Sequence, residues 1–229
     1  MTPAERCFEA LWPFVRGQLP ATPASVVEIG CGSLGGFVPE LRRAGYGAVG
    51  VDPEAPKDAG YYAMEFESYQ PPQPLDAVVA CTSLHHVVNL DQVLDRIVAA
   101  LKPAGTLVVV EWAWEQFDDA TAQWCFARLP KVEQGAEPGW LHRHRDDWRA
   151  SGRSWEDFCQ SWAAQEGLHT SHHVMRKLAG VFDLLSCAYG PYFFCDLTGT
   201  AEEDEQTAID AGEIQATGIR YAGRLRLTD

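Results

Sequence analysis

Apolar residues along this chain fall into two kinds of run that alternate. Val26, Val27 and Ile29, then Ala48 to Val51, are short β-branched or small apolar runs that read as strands. The first ends at Gly30 and Gly32, the second at Asp52-Pro53. Leu75 to Cys81 and Thr106 to Trp112 are near-continuous apolar runs, as a parallel strand buried on both faces requires. Tyr61 to Phe66 is a further candidate strand. Elsewhere the spacing switches to three and four. Phe8, Leu11, Trp12 and Val15 predict a helix over 3–17, with Pro3 in its first turn and Pro13 expected to kink or shorten it. Residues 36–44 predict a second helix that stops at Gly45. Val93, Leu94, Ile97, Val98 and Leu101 form one stripe of a third, capped by Asn89 or Asp91 and broken by Lys102-Pro103-Ala104-Gly105.

Strands alternating with helices at these lengths predict an α/β fold with a largely parallel sheet and right-handed crossovers. After residue 112 the rhythm changes. Residues 113–153 carry no convincing strand and are rich in Trp, Arg and His. They are expected to form an insertion or lid over the active site. Alternation resumes with helices near 154–166 and 171–179 and strands near 181–188 and 218–227. The expected organisation is one domain over 1–229, with an N-terminal helix at 1–17. Glu202-Glu203-Asp204-Glu205 reads as the solvated first turn of a helix, where acids favour the positive end of the dipole.

Composition narrows the function. The 229 residues hold 18 Lys and Arg against 32 Asp and Glu, a formal charge of -14. Such a surface disfavours nucleic acid and anionic membrane as partners. The seven cysteines never form a C-x-x-C pair and make no cluster with zinc spacing, so no metal is expected. No apolar signal core and no membrane-length apolar run is present. The expectation is a cytoplasmic protein with free thiols, a small-molecule ligand and a monomeric or homodimeric state.

The chemistry concentrates at Glu28-Ile29-Gly30-Cys31-Gly32-Ser33-Leu34-Gly35-Gly36, between a strand and a helix. Glycines there let the backbone turn sharply and approach a ligand, and the helix start offers free N–H groups. Asp52 follows Gly32 by 20 residues and ends the next strand, where a carboxylate can accept both hydroxyls of a ribose. The spacing is formally that of a dinucleotide loop. Glu28, two residues before the first glycine, argues otherwise: it would repel a pyrophosphate and attract a cation. It can equally cap backbone groups of the loop.

Four motifs, VVEIGCGSLGG, VGVD, LDAVVACTSLHHV and LKPAGTLVVVE, cover residues 26–112. In them the chain resembles the class I S-adenosylmethionine-dependent methyltransferases of small-molecule type. The resemblance implies a Rossmann-like seven-stranded sheet of order 3-2-1-4-5-7-6, strand 7 antiparallel, with helices on both faces. It implies S-adenosylmethionine as cofactor and methyl transfer to an oxygen, nitrogen or carbon nucleophile. It places Glu28, Gly30, Cys31 and Gly32 at the methionine end, Asp52 with Pro53 at the ribose, Glu65 with Phe66 beside the adenine, and Cys81 near the sulfonium. Leu34 departs from the family pattern by standing where a third glycine is expected, which reads as a loop longer by one residue. Two other functions fit the loop: a catalytically silent cofactor-binding partner and a nicotinamide-dependent oxidoreductase.

His85 and His86 follow the strand that ends at Cys81, and either suits a general base near neutrality. Glu111 ends the next strand, at the edge that faces the crevice of such sheets. His142-Arg143-His144-Arg145, with Arg149 and Arg153, is a basic patch that can clamp a carboxylate or be salt-bridged internally. Trp112, Trp114, Trp124, Trp140 and Trp148 can wall a flat substrate or pack an inserted core. Residues 180–229 look like the tail of small bacterial methyltransferases, some from natural-product pathways.

Overall fold

Val26, Val27 and Ile29 lie in β1 (Ser25–Ile29), at the centre of the sheet. The computed structural model describes residues 2–132, 135 and 137–227. The other strands are β2 (Gly47–Val51), β3 (Tyr61–Tyr62), β4 (Leu75–Cys81), β5 (Leu101–Trp112), β6 (Phe182–Gly190) and β7 (Gly218–Leu225). Their order is β3-β2-β1-β4-β5-β7-β6, and β7 runs antiparallel to both neighbours while the rest pair in parallel. This is the order that the resemblance implies.

The period-two geometry of a strand divides the core. Val27, Val78, Leu107 and Val109 point into one apolar layer, against α3 (Leu90–Ala100) and α7 (Ser171–Val181). Val26, Ala77, Val79 and Val108 point into the other, against α1 (Pro3–Gln18) and α2 (Val38–Arg43). Both faces of β1 and β4 are therefore dry, and their C-terminal ends are the places where the chain meets a crevice.

Pro13 does not shorten α1, which continues to Gln18. Pro13 and Glu9 are both on the exposed side, so the Glu9 carbonyl left without an N–H faces water. The third strand is shorter than expected, because Phe66–Ser68 forms a 3-10 turn that buries Phe66. Asn89 caps α3, its side chain accepting the Gln92 N–H at 3.1 Å.

Residues 113–153 contain a short 3-10 turn at Trp114–Gln116, α4 (Asp119–Phe126) and α5 (Trp140–Ser151). With α6 (Trp155–Glu166) they build a third apolar cluster around Trp112, Phe117, Phe126, Trp155 and Phe193. The acidic run starts α8 (Glu202–Asp210), but Glu205 is not solvated. It is fully buried and accepts the N–H groups of Tyr192, Phe193 and Phe194 at 2.8, 3.1 and 2.6 Å, while Glu202 pairs with Arg220. A helical spacing of three turns one acid inward, where three unpaired backbone donors retain it. Among the described residues no helix is long and apolar enough to cross a membrane.

Candidate active site

The glycine loop takes its shape from four left-handed backbone positions, Gly30, Gly32, Gly35 and Gly36, with φ of +76, +60, +86 and +56°. Three of these have protein neighbours that a side chain would meet: a Cβ on Gly30 would overlap Ser83, one on Gly35 the Tyr61 hydroxyl, and one on Gly36 the Glu28 carboxylate. A Cβ on Gly32 would meet nothing. That free space is what a ligand needs for close approach. Leu34 is exposed at the loop tip, and Gly35 and Gly36 after it both adopt positive φ.

Glu28 is fully buried beneath this loop and accepts the Phe37 N–H at 2.7 Å. Burial lifts its carboxyl to about 8, against the opposing pull of the Phe37 and Val38 N–H groups. Near neutrality it is therefore mostly protonated, so it is not the charged lure that the sequence suggested. The structure gives it the other role, a bracket between β1 and the start of α2. Cys31 is also buried, with its sulfur against Gly50, and desolvation followed by Glu28 and Asp52 pushes its thiol up to about 12. Cys81 is buried at the end of β4, and burial raises its thiol too.

A cavity of about 300 Å³ opens at the C-terminal ends of β1, β2 and β4. Gly30, Asp52, Pro53, Glu65 and Phe66 line it, together with Thr82, Ser83 and His86. Five of the nine residues expected to contact cofactor thus share one cavity. Glu28, Cys31, Gly32 and Cys81 are not in its lining. Asp52 Oδ2 accepts the Gly32 N–H at 3.0 Å and Oδ1 accepts the Glu54 N–H at 2.7 Å. Each oxygen keeps a lone pair for a further donor. The lining offers carboxylates for hydroxyls and the apolar surfaces of Ile29, Val51 and Phe66 for a flat ring. Among the described residues it holds no Lys or Arg. These groups fit an adenosine.

His85 is almost wholly buried, and its Nδ1 contacts Glu111 Oε2. Glu111 is fixed in turn: Oε1 accepts the N–H groups of Ser83 and Leu84 at 3.1 and 2.6 Å, and Oε2 accepts that of Trp112 at 3.2 Å. A carboxylate that only accepts requires the proton on His85 Nδ1, which leaves the lone pair on Nε2. His86 lies against His85, ring centroids 4.1 Å apart, and lines the cavity. Burial, then the neighbouring His85, lowers its pKa. Thr82, between Cys81 and this pair, has a φ of +47° and is anchored by its N–H to the Val110 carbonyl at 2.7 Å. A β-branched residue in that conformation stores strain at the mouth of the cavity.

The basic stretch does not act as one patch. His142 and His144 face the core of the helical cluster, while Arg145 pairs with Asp146 on the outside. Trp112 packs against Phe117, Trp140, Trp162, Tyr192 and Phe193 rather than facing a cavity. Two residues of the site escaped sequence reasoning. Ser83 donates its hydroxyl to the Ile29 carbonyl at 3.2 Å and ties β1 to the β4 loop. His169 clamps that loop, its N–H donating to the His85 carbonyl and its Nε2 meeting the Val87 carbonyl, both at 2.9 Å. Ser83 had a signal in its place between Cys81 and His85; His169 is remote in sequence and had none.

Residues 5–179 match the model of the methyltransferase domain family, and the chain belongs to that family. It is 31% identical to the ubiquinone biosynthesis O-methyltransferase of Bradyrhizobium sp. (strain ORS 278), over 66% of this chain and 70% of that enzyme. With the enzyme of the same name from Bradyrhizobium diazoefficiens it shares 32% identity over 40% of this chain, spanning 42% of that enzyme's length. Its fold is similar to a putative S-adenosylmethionine-dependent methyltransferase from Listeria monocytogenes, with a TM-score of 0.59, 13% identity and coverage of 97% and 100% of the two chains. It is also similar to the N-methyltransferase NodS from Bradyrhizobium japonicum in complex with S-adenosyl-L-homocysteine, with a TM-score of 0.54, 16% identity and coverage of 99% and 89%. The protein is an enzyme, a methyltransferase, and the solved structures it resembles in fold include S-adenosylmethionine-dependent methyltransferases.

Proposed function

We propose that this enzyme methylates a hydroxyl group of a small molecule, with His85 as the base that removes its proton. The observation that carries this is the buried contact between His85 Nδ1 and a Glu111 carboxylate held by three backbone N–H groups. A sulfonium donor is reactive already, so the chain's work is to align the acceptor and take one proton from it. An amine nucleophile has a lone pair without deprotonation; a hydroxyl gains most from a base. The Bradyrhizobium relatives are O-methyltransferases of ubiquinone biosynthesis, which supports the same reading.

In this reading Asp52 and Glu65 accept the ribose hydroxyls and Phe66 supports the adenine. Gly30 and Gly32 let the methionine part approach the backbone. When bound, the cofactor supplies a methyl carbon on a positively charged sulfur. His86 stays neutral beside His85 and keeps the approach free of a second positive charge. Residues 113–153 act as a lid over the acceptor, because they continue from the end of β5 that carries Glu111; slower amide exchange there on adding acceptor and S-adenosylhomocysteine is the matching measurement. The free state of all seven cysteines supports a cytoplasmic setting, and the acceptor is a small molecule of natural-product type rather than nucleic acid.

The test uses S-adenosylmethionine with a labelled methyl group and paired acceptors, catechol and aniline. Label is expected on the catechol oxygen, with loss of transfer but not of S-adenosylhomocysteine binding in His85→Gln. Transfer to aniline and not to catechol overturns the reading.

A further inference from the structure

Outside the cofactor cavity, the helical cluster carries a second opening of about 740 Å³. Its walls are Trp114, Phe117, Trp148 and Trp155, and its rim holds Glu115, Asp118, Asp119 and Glu156. Four carboxylates surround four aromatic rings, and among the described residues no Lys, Arg or His lines the opening.

Elsewhere on this molecule acids find cations: Asp76 with Lys102, Asp91 with Lys177, Asp183 with Arg226, Glu202 with Arg220. At this rim none does so among the described residues. Glu115 accepts from Ser171 and from the His172 N–H, and Asp118 accepts from Thr121, so both are positioned by neutral donors, and among the described residues neither forms an ion pair. Asp119 and Glu156 touch only the side-chain amides of Gln123 and Gln160, at 3.5 and 3.4 Å. The rings below are fixed. Trp155 is buried and donates its indole N–H to the Phe117 carbonyl at 2.6 Å, and Trp148 donates to the Arg153 carbonyl at 3.1 Å. Rigid indole faces under a ring of carboxylates attract one class of ligand by two routes, the ring quadrupole and Coulomb attraction.

We propose that this groove is a binding site for a small organic cation, a quaternary or protonated ammonium group. An apolar shell of methyl or methylene groups on the nitrogen fits the indole walls, and the charge answers the rim. A bare metal ion has no such use for the rings. The site stands apart from the cofactor cavity but not isolated from it. Trp114 donates its indole N–H to the His169 carbonyl at 3.1 Å, and His169 holds the carbonyl of His85. A cation seated on Trp114 therefore touches the support of the candidate base. The proposal goes beyond the methyl-transfer reading and does not depend on the acceptor's identity.

The experiment compares choline with its neutral isostere 3,3-dimethylbutan-1-ol on the full chain, by calorimetry and tryptophan fluorescence at low and high salt. Choline is expected to bind at least about tenfold more tightly than the isostere and to weaken with salt. Trp148→Leu should abolish that preference. Because it also removes core contacts, Asp119→Asn with Glu156→Gln provides a second arm. It removes no buried contact and should lower choline affinity about tenfold, with the fold retained at the assay temperature and S-adenosylhomocysteine affinity unchanged. Equal binding of choline and isostere, no binding of either, or wild-type affinity in the charge variant overturns the proposal. Lost S-adenosylhomocysteine binding with choline binding retained would strike the cofactor reading alone.

Discussion

Gly36 stands so close to the carboxylate of Glu28 that a single added methyl group would overlap it. The glycine also has a φ of +56°, which an L side chain resists. Gly36→Ala therefore meets a steric and a conformational penalty together, about 1–3 kcal/mol, or several degrees of melting temperature in a domain of this size. An unchanged melting curve would remove the tie between loop and bracket.

The same carboxyl makes stability depend on pH. Its folded value of about 8 lies above the ordinary 4.5, so the unfolded chain loses this proton first as pH rises. The contribution is complete below about 4.5 and is lost progressively up to about 8. Glu28→Gln carries no proton to lose. Its melting temperature relative to the parent should be lowest near pH 4.5 and rise by several degrees by pH 8. A constant difference across that range refutes the assignment.

Asp52→Ala removes an acceptor from the cavity and two hydrogen bonds that hold the loop, those from Gly32 and Glu54. S-adenosylhomocysteine affinity should fall about ten- to hundredfold, as loss of a doubly accepting carboxylate implies, while the sheet stays folded. Calorimetry with parental affinity would take Asp52 out of the site.

Glu111→Gln keeps the shape of the side chain but puts an amide donor on one side. If its oxygen faces Ser83 and Leu84, its NH₂ confronts His85 Nδ1 and the Trp112 N–H. The His85 tautomer then reverses, and the free nitrogen becomes a donor. Turnover is expected to drop about hundredfold, with cofactor affinity preserved and the pH–rate profile altered. Parental turnover means that the pair is structural.

His144 packs against Trp155, Phe158 and Trp162, ring centroids 4.6 to 5.4 Å away, and burial lowers its pKa to about 4. Its folded value lies below the ordinary 6.5, so its contribution is complete above about 6.5 and lost as pH falls toward 4. Tryptophan emission of the folded protein should shift red around pH 4 in the parent and stay level in His144→Phe. The same shift in the variant would assign it to other groups.

The strands were legible because burial on both faces leaves a plain mark: LDAVVAC forms β4 without a residue to spare, whereas the sheet order followed only from the resemblance carried by the four motifs. Asp52 was legible through its position at the end of a strand, whereas Glu65 and Phe66 came only through the family resemblance. Glu28 was legible as important but not in its role, because its neighbours are backbone N–H groups of residues 37 and 38, and sequence does not reveal which way a loop folds back. The clamp by His169 joins residues more than eighty positions apart and has no local pattern. The two readings left open for Trp112 could not be separated for a related reason. Aromatic content alone does not distinguish rings that touch one another from rings that line a space.

The strand order also governs how this chain comes off the ribosome. β7 fills the slot between β5 and β6, so the long, almost wholly apolar β5 has only β4 beside it until residues 218–225 have been made. During that interval the nascent chain carries an open hydrophobic edge, the kind of surface to which chaperones and neighbouring nascent chains bind. Its antiparallel arrival is the event that seals the sheet, which makes the late strand a determinant of yield as much as of shape.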